Sequence, residues 1–235
     1  MDVNLFWDED EANTGRYVVP DDIVDVAFAV NCRCLPLDHA QPLSDALHAA
    51  LPWLGDEELA GVHLIHGAES GNGWYRPEDP ASELLYLSRR TRMMLRLPRE
   101  RVADAEGLVG RDLDIGGYPL TVGRSSVRKL SDLPTLFARY VIVEDGEDEM
   151  AFLSRTAQEL KALGITVRKV LCGKEHTLAL GRTGVQTRSV MVAELEPERA
   201  VLLQQQGLGG GRKTGCGLFL PHKGIAPIQA LDDSD

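Results

Sequence analysis

The chain has 235 residues, 43% of them hydrophobic, with 36 acidic against 25 basic side chains and a formal net charge of −11. This length suits one large domain or two of roughly 100 residues each. No apolar run approaches the ~20 residues of a membrane helix. The acidic N-terminus carries no signal-peptide pattern, so a cytoplasmic chain with no membrane contact is expected, its four cysteines as free thiols.

Residues 1–22 show no period and read as a loose acidic arm. Residues 23–31 (Ile-Val-Asp-Val-Ala-Phe-Ala-Val-Asn) have the composition of a strand. Leu43, Leu47, Leu51 and Leu54 recur at helical spacing over 41–54, and Gly55 stops them. A short strand at 61–66 and a polar loop at 69–83, with Gly71, Gly73, Pro77 and Pro80, come next. A strand over 84–97 follows, with Leu85, Leu87, Met93, Leu95 and Leu97 on one face. A short helix near 98–108 and strands over 112–122 complete a β-α-β-β-α-β order.

A second unit begins after Pro134. It has a strand at 138–144, a helix at 149–163 stopped by Gly164, and strands at 165–171, 176–181 and 185–195. A helix follows, with Pro197 at its first position and Gly207 past its end. Strand 214–220 closes the unit. The order repeats the first, with one extra strand. The pattern predicts an α+β fold of two tandem ferredoxin-like domains, 23–132 and 133–224, followed by an acidic tail at 225–235.

Charge is unevenly spread. Residues 1–25 hold eight acids and one base, 144–149 hold five acids, and 231–235 hold three. Residues 152–224 hold eleven bases against five acids, and 89–101 hold six arginines against one acid. The overall acidity therefore leaves two basic stretches able to meet a polyanion.

The most distinctive segment is Gly207-Leu-Gly-Gly-Gly-Arg-Lys-Thr-Gly-Cys-Gly217, with six glycines in eleven residues. Glycine loses the most entropy on folding, so such a run needs a reason. Close approach of backbone N–H groups to an anion is one. Arg212 and Lys213 would add charge to a phosphate cradle over Gly209, Gly210 and Gly211. A flexible linker before a terminal strand is the alternative. Nucleotide-binding loops do not fit, because the segment follows a helix and opens a strand. Cys32-x-Cys34 with His63-x-x-His66 matches no standard zinc spacing. No metal or cofactor is expected.

This segment, with Leu218-Phe-Leu-Pro221 after it, resembles the signature of the CRISPR repeat-processing endoribonucleases of the repeat-associated RNA-binding superfamily, in particular the Myxococcus-type subfamily. Leu35-Pro-Leu-Asp-His-Ala40, Gly61-Val-His-Leu-Ile-His-Gly67 and the arginine-rich stretch at 88–98 extend the resemblance, which covers residues 23–224. It implies binding of CRISPR repeat RNA, metal-independent cleavage of one phosphodiester per repeat, and retention of the product with other subunits of an effector complex. It also implies RNA contact by Arg90, Arg92 and Arg96, which share one strand parity, and by Lys174 before the second-domain hairpin. A non-catalytic RNA-binding subunit of the same machinery is the alternative reading.

Metal-free RNA cleavage needs the 2′-hydroxyl deprotonated and the 5′-oxygen protonated, steps suited to histidine near neutral pH. The family's acid/base is commonly a histidine at or in the first helix, facing the glycine-rich loop. That makes His39 the first candidate and His48 the second. His63 reads as structural or supporting and His66 as exposed. His176 opens a strand, and His222 follows the last one.

Overall fold

The computed structural model of the chain describes residues 17–66, 84–166, 168–181 and 184–222. The arm before residue 17, the polar loop with Tyr75 and the acidic tail lie outside the described residues.

The first unit is an antiparallel sheet with helices on one face. Its strands are β1 (Ile23–Asn31), β3 (Gly61–His63), β5 (Arg92–Pro98) and β7 (Tyr118–Lys129), and its helices are α1 (Ala40–Ala50) and α2 (Val102–Glu106). β6 (Asp112–Ile115) pairs with the start of β7, giving the order β3-β5-β1-β7-β6. Val24, Val26 and Phe28 of β1 and Met93, Leu95 and Leu97 of β5 point to the core, where Leu43, Leu47, Leu51 and Leu54 cover them. Period 2 on the strands meets a helical stripe, as the sequence predicts. Pro52 ends α1 earlier than the leucine period suggests, and Pro52–Leu54 form a separate 3-10 turn.

The strand expected over 84–97 is two strands. β4 (Leu84–Tyr86) pairs with the unanticipated β2 (Cys34–Pro36), and a turn at 88–91 separates it from β5. The Thr91 hydroxyl accepts from the Ser88 N–H at 3.1 Å, and the Thr91 N–H donates to the Ser88 carbonyl at 3.0 Å. This closed loop breaks the alternation locally.

The second unit contains β8 (Leu136–Ile142), α3 (Glu149–Ala162), β9 (Lys169–Leu178), β10 (Val185–Ala193), α4 (Pro197–Gln206) and β11 (Leu220–Pro221), in sheet order β11-β8-β10-β9. This is the order of the four principal strands of the first unit, so each domain is ferredoxin-like. α3 is capped by Asp148, whose carboxylate accepts from the Ala151 N–H at 2.8 Å.

The extra strand predicted near 165–181 is absent from the described residues, because β9 is continuous. A bulge across from Ser189 interrupts its register, and a Cβ at Gly173 would stand 2.3 Å from the Ser189 hydroxyl. The closing strand is only two residues long. Residues 212–214 instead form a 3-10 turn.

The domains are joined by buried contacts. Arg96 is fully buried. It forks onto Asp25, with its Nε at 2.8 Å from Oδ1 and an Nη at 2.9 Å from Oδ2. Its other Nη donates to the carbonyls of Gln204 at 2.8 Å and Phe219 at 2.9 Å. Gln204 in turn bonds the linker at Ser131 through both ends of its side-chain amide. All three guanidinium nitrogens are engaged, as a buried charge requires.

Candidate active site and interdomain cleft

The glycine-rich segment is a folded loop. The Leu208 N–H donates to the Gly217 carbonyl at 3.1 Å, Cys216 N–H to Gly211 at 3.0 Å, and Gly217 N–H to Tyr140 at 2.7 Å. At Gly207 a Cβ would stand 2.4 Å from the Gly217 carbonyl oxygen, and at Gly217 one would stand 2.1 Å from the Leu208 oxygen. Both have positive φ. These glycines let two strands of chain cross closely, a packing role the sequence reading did not assign. Gly209 and Gly210 are exposed, but the Gly209 N–H donates at 2.9 Å to the Glu159 carboxylate.

The two loop cations are also engaged by the protein. The Arg212 guanidinium donates to the carbonyls of Gln206 at 2.6 Å, Gln205 at 3.0 Å and Leu59 at 2.8 Å. It caps the end of α4 and ties it to the first domain. Burial and the nearby Arg96 charge push its pKa down to about 10. The Lys213 ammonium donates to the carbonyls of Glu57 and, at 3.0 Å, Ala60. Backbone carbonyls thus engage the Arg212 Nη atoms and the Lys213 ammonium, while the Arg212 Nε is buried without a hydrogen-bond partner among the described residues. Arg96 has the expected parity, and that face meets the second domain at the Gln204 and Phe219 carbonyls.

His39 is buried. Its Nε2 accepts from the Ile65 N–H at 3.0 Å, and its Nδ1 faces the Pro36 and Leu37 carbonyls at 3.0 and 3.2 Å. Both ring nitrogens therefore face backbone groups in this structure. The neighbouring Asp38 carboxylate accepts from the Ala179 N–H at 2.9 Å across the domain boundary.

His48 differs. It is half-buried on α1, and its Nδ1 donates to the Ser44 carbonyl at 2.7 Å with the Ser44 hydroxyl at 3.3 Å. Nε2 turns toward Gly55, and α1 packs on the 3-10 turn of the glycine-rich loop. One ring nitrogen fixed by a carbonyl leaves the other as the acceptor, the tautomer a general base uses.

Between the domains lies a cleft of about 320 Å3, lined among others by His63, His66, Arg92, Arg139, Tyr140 and His222. Enclosure, aided by the Arg139 charge, pushes His66 down to about 3, so His66 is neither exposed nor charged near neutral pH. Burial also lowers His63, which Asp25 only partly offsets. The His63 Nε2 and His222 Nδ1 atoms are buried without a hydrogen-bond partner among the described residues. Arg92 bends back onto the Arg89 and Thr91 carbonyls at the cleft rim. Arg90 and Lys174 are exposed, the first in the turn before β5 and the second beside the β9 bulge.

Asp25 and Arg139 escaped the sequence reading, and nothing in the sequence ranked Tyr140 above the other tyrosines. The signal for Asp25 was a lone acid inside an apolar strand. The zinc alternative is not assembled: the Cys32 thiol donates to the Cys34 carbonyl, and among the described residues no three His, Cys, Asp or Glu side chains come together as ligands.

Two ferredoxin-like domains around a cationic cleft, with a glycine-rich loop joining the last helix to the last strand, define a protein of the repeat-associated RNA-binding type. The family model described as Cas6 Crispr matches residues 24–224, and the chain belongs to that family. It is similar to the CRISPR-associated endonuclease Cas6 of Myxococcus xanthus (strain DK1622), with 36% identity over 207 residues, covering 88% of this chain and 85% of that protein. A solved structure described as CRISPR associated protein Cas6 aligns with a TM-score of 0.57 at 10% identity, covering 86% of this chain and all of the other. The structure of a Cas6-related gene product from Pyrococcus furiosus gives 0.54 at 12% identity, covering 84% and 97%. At these identities the likeness establishes the fold. No helix among the described residues is long and apolar enough to cross a membrane.

Proposed function

We propose that the chain is an endoribonuclease that binds CRISPR repeat RNA and cuts it by attack of a 2′-hydroxyl on the adjacent phosphate. No divalent metal is needed, and the product ends in a 2′,3′-cyclic phosphate. Family membership supports the substrate class and the endonuclease activity. The chemistry rests on one observation: His48 lies on a helix packed against the glycine-rich loop with Nδ1 donating to the Ser44 carbonyl, which leaves Nε2 as the ring nitrogen that can accept a proton.

In this reading Nε2 takes the 2′-hydroxyl proton as the 2′-oxygen bonds to phosphorus. The bond to the 5′-oxygen breaks, and the leaving oxygen takes up a proton from the protonated His48, directly or through water. His39 is a positioning residue that fixes the start of α1. Arg90, Arg92 and Lys174 supply phosphate contacts, and the exposed Gly210 lets the backbone come close to RNA. The guide RNA stays bound and enters a complex with other effector subunits.

The test is incubation of purified protein with its cognate repeat RNA in chelator, with the product end read by mass spectrometry. Cleavage with a cyclic phosphate supports the mechanism. A requirement for magnesium overturns it.

A further inference from the structure

Tyr86 is 66% exposed, the most exposed aromatic side chain among the described residues. It sits on β4 opposite Cys34 of β2, in a two-stranded ribbon apart from both main sheets. The Leu87 N–H donates to the Arg33 carbonyl at 3.0 Å, which places Arg33 across the ribbon from the residue after Tyr86.

The turn that follows carries Arg89 and Arg90. It is held by the Ser88–Thr91 bonds described above and by the Arg90 N–H, which donates to the Ser88 hydroxyl at 3.2 Å. Arg33, Arg89 and Arg90 are all exposed, and no carboxylate among the described residues pairs with them. Arg96, Arg101, Arg155 and Arg188 are all paired. An exposed aromatic on a short ribbon gains nothing from burial. Three exposed guanidinium groups without such a carboxylate, on and beside a locked turn, are free to take an anion such as a phosphate.

We infer that Tyr86 is a stacking platform for an unpaired nucleotide of the RNA, with Arg33, Arg89 and Arg90 on the flanking phosphates. This rests on the RNA reading above and assigns part of the substrate to a named place. Aromatic stacking accepts any base, and the arginines follow the backbone, so the site reads single-strandedness and not sequence. Arg92 links the platform to the interdomain cleft, which gives the strand a route inward.

The experiment uses the full chain and a ten-nucleotide oligouridylate carrying one central 2-aminopurine. The wild type quenches the probe. Tyr86→Ala removes the quench and weakens binding about 5- to 150-fold, the range for removing one base–aromatic stack. Tyr86→Phe keeps both. Replacing Arg89 and Arg90 lowers the salt slope by about 0.7 for each phosphate that is no longer neutralised. Equal quench and affinity in Tyr86→Ala would overturn the platform and give the patch to a protein partner. Cleavage of the cognate repeat is measured in parallel. Intact cleavage with unaltered Tyr86→Ala binding overturns the platform alone. Quenching by a wild type that cuts nothing supports the platform and overturns the nuclease.

Discussion

The Nε2 atom of His39 accepts a hydrogen bond from the Ile65 N–H at 3.0 Å, which ties the start of α1 to the chain just past β3. His39→Ala leaves that buried donor without its partner. The cost is about 1–3 kcal/mol, read as a lower urea midpoint at unchanged slope. A His39→Ala protein of wild-type stability that no longer cuts RNA would return the acid/base role to His39.

Asp25 neutralises the fully buried Arg96. Burial alone would raise the Asp25 pKa, but the Arg96 charge and its hydrogen bonds, with the His63 ring 3.7 Å away, bring it well below the usual carboxylate range. Asp25→Asn strands a charge between the domains and costs about 3–5 kcal/mol. Asp25→Leu combined with Arg96→Met recovers most of that stability, because the uncompensated charge is then gone. Denaturation midpoints of the three proteins check this, and a decrease under about 1 kcal/mol for Asp25→Asn contradicts it.

His63 and His66 are held neutral, with pKa values below that of the unfolded chain, about 6.5. Between the two values the unfolded state binds more protons, so stability falls as pH drops below about 6.5 toward about 3. The slope is at most about 1.4 kcal/mol per pH unit for each group. His66→Phe should flatten the curve between pH 6 and pH 4. An unchanged slope would mean that His66 titrates normally.

The two sets of cations should separate in salt. Replacing Arg89 and Arg90 lowers the slope of log K against log salt for repeat RNA by about 0.7–0.9 for each phosphate they neutralise. Replacing Arg212 and Lys213 destabilises the protein, because the carbonyls of Gln205, Gln206, Leu59 and Glu57 lose donors, and leaves the slope per bound protein unchanged. A flattened slope in the second variant would restore the phosphate cradle.

Both ferredoxin-like orders were legible because strand alternation and leucine spacing are local signals. The Met93, Leu95 and Leu97 face and the Leu43 to Leu54 stripe meet as the periods require. Pairing was less legible: β2 against β4 depends on a partner about fifty residues away, and β9 runs through a bulge that reads as a break. For site residues the sequence carries type and parity but not what faces the residue. Arg96 was placed on the correct side of its strand, yet a second domain covers that side. Arg212 and Lys213 have the composition of an anion cradle, yet nearby carbonyls take their donors. His39 and His48 differ in burial and in what their ring nitrogens meet, which no spacing rule reveals.

The most direct measurement is the single-turnover rate on cognate repeat RNA in chelator for the wild type and His48→Ala. The wild type should cut and leave a 2′,3′-cyclic phosphate. His48→Ala should be slower by about 10²–10⁴-fold with repeat affinity close to wild type, because an acid/base group acts on the transition state more than on bound RNA. A His48→Ala rate equal to wild type, or cleavage only with added magnesium, would contradict the account.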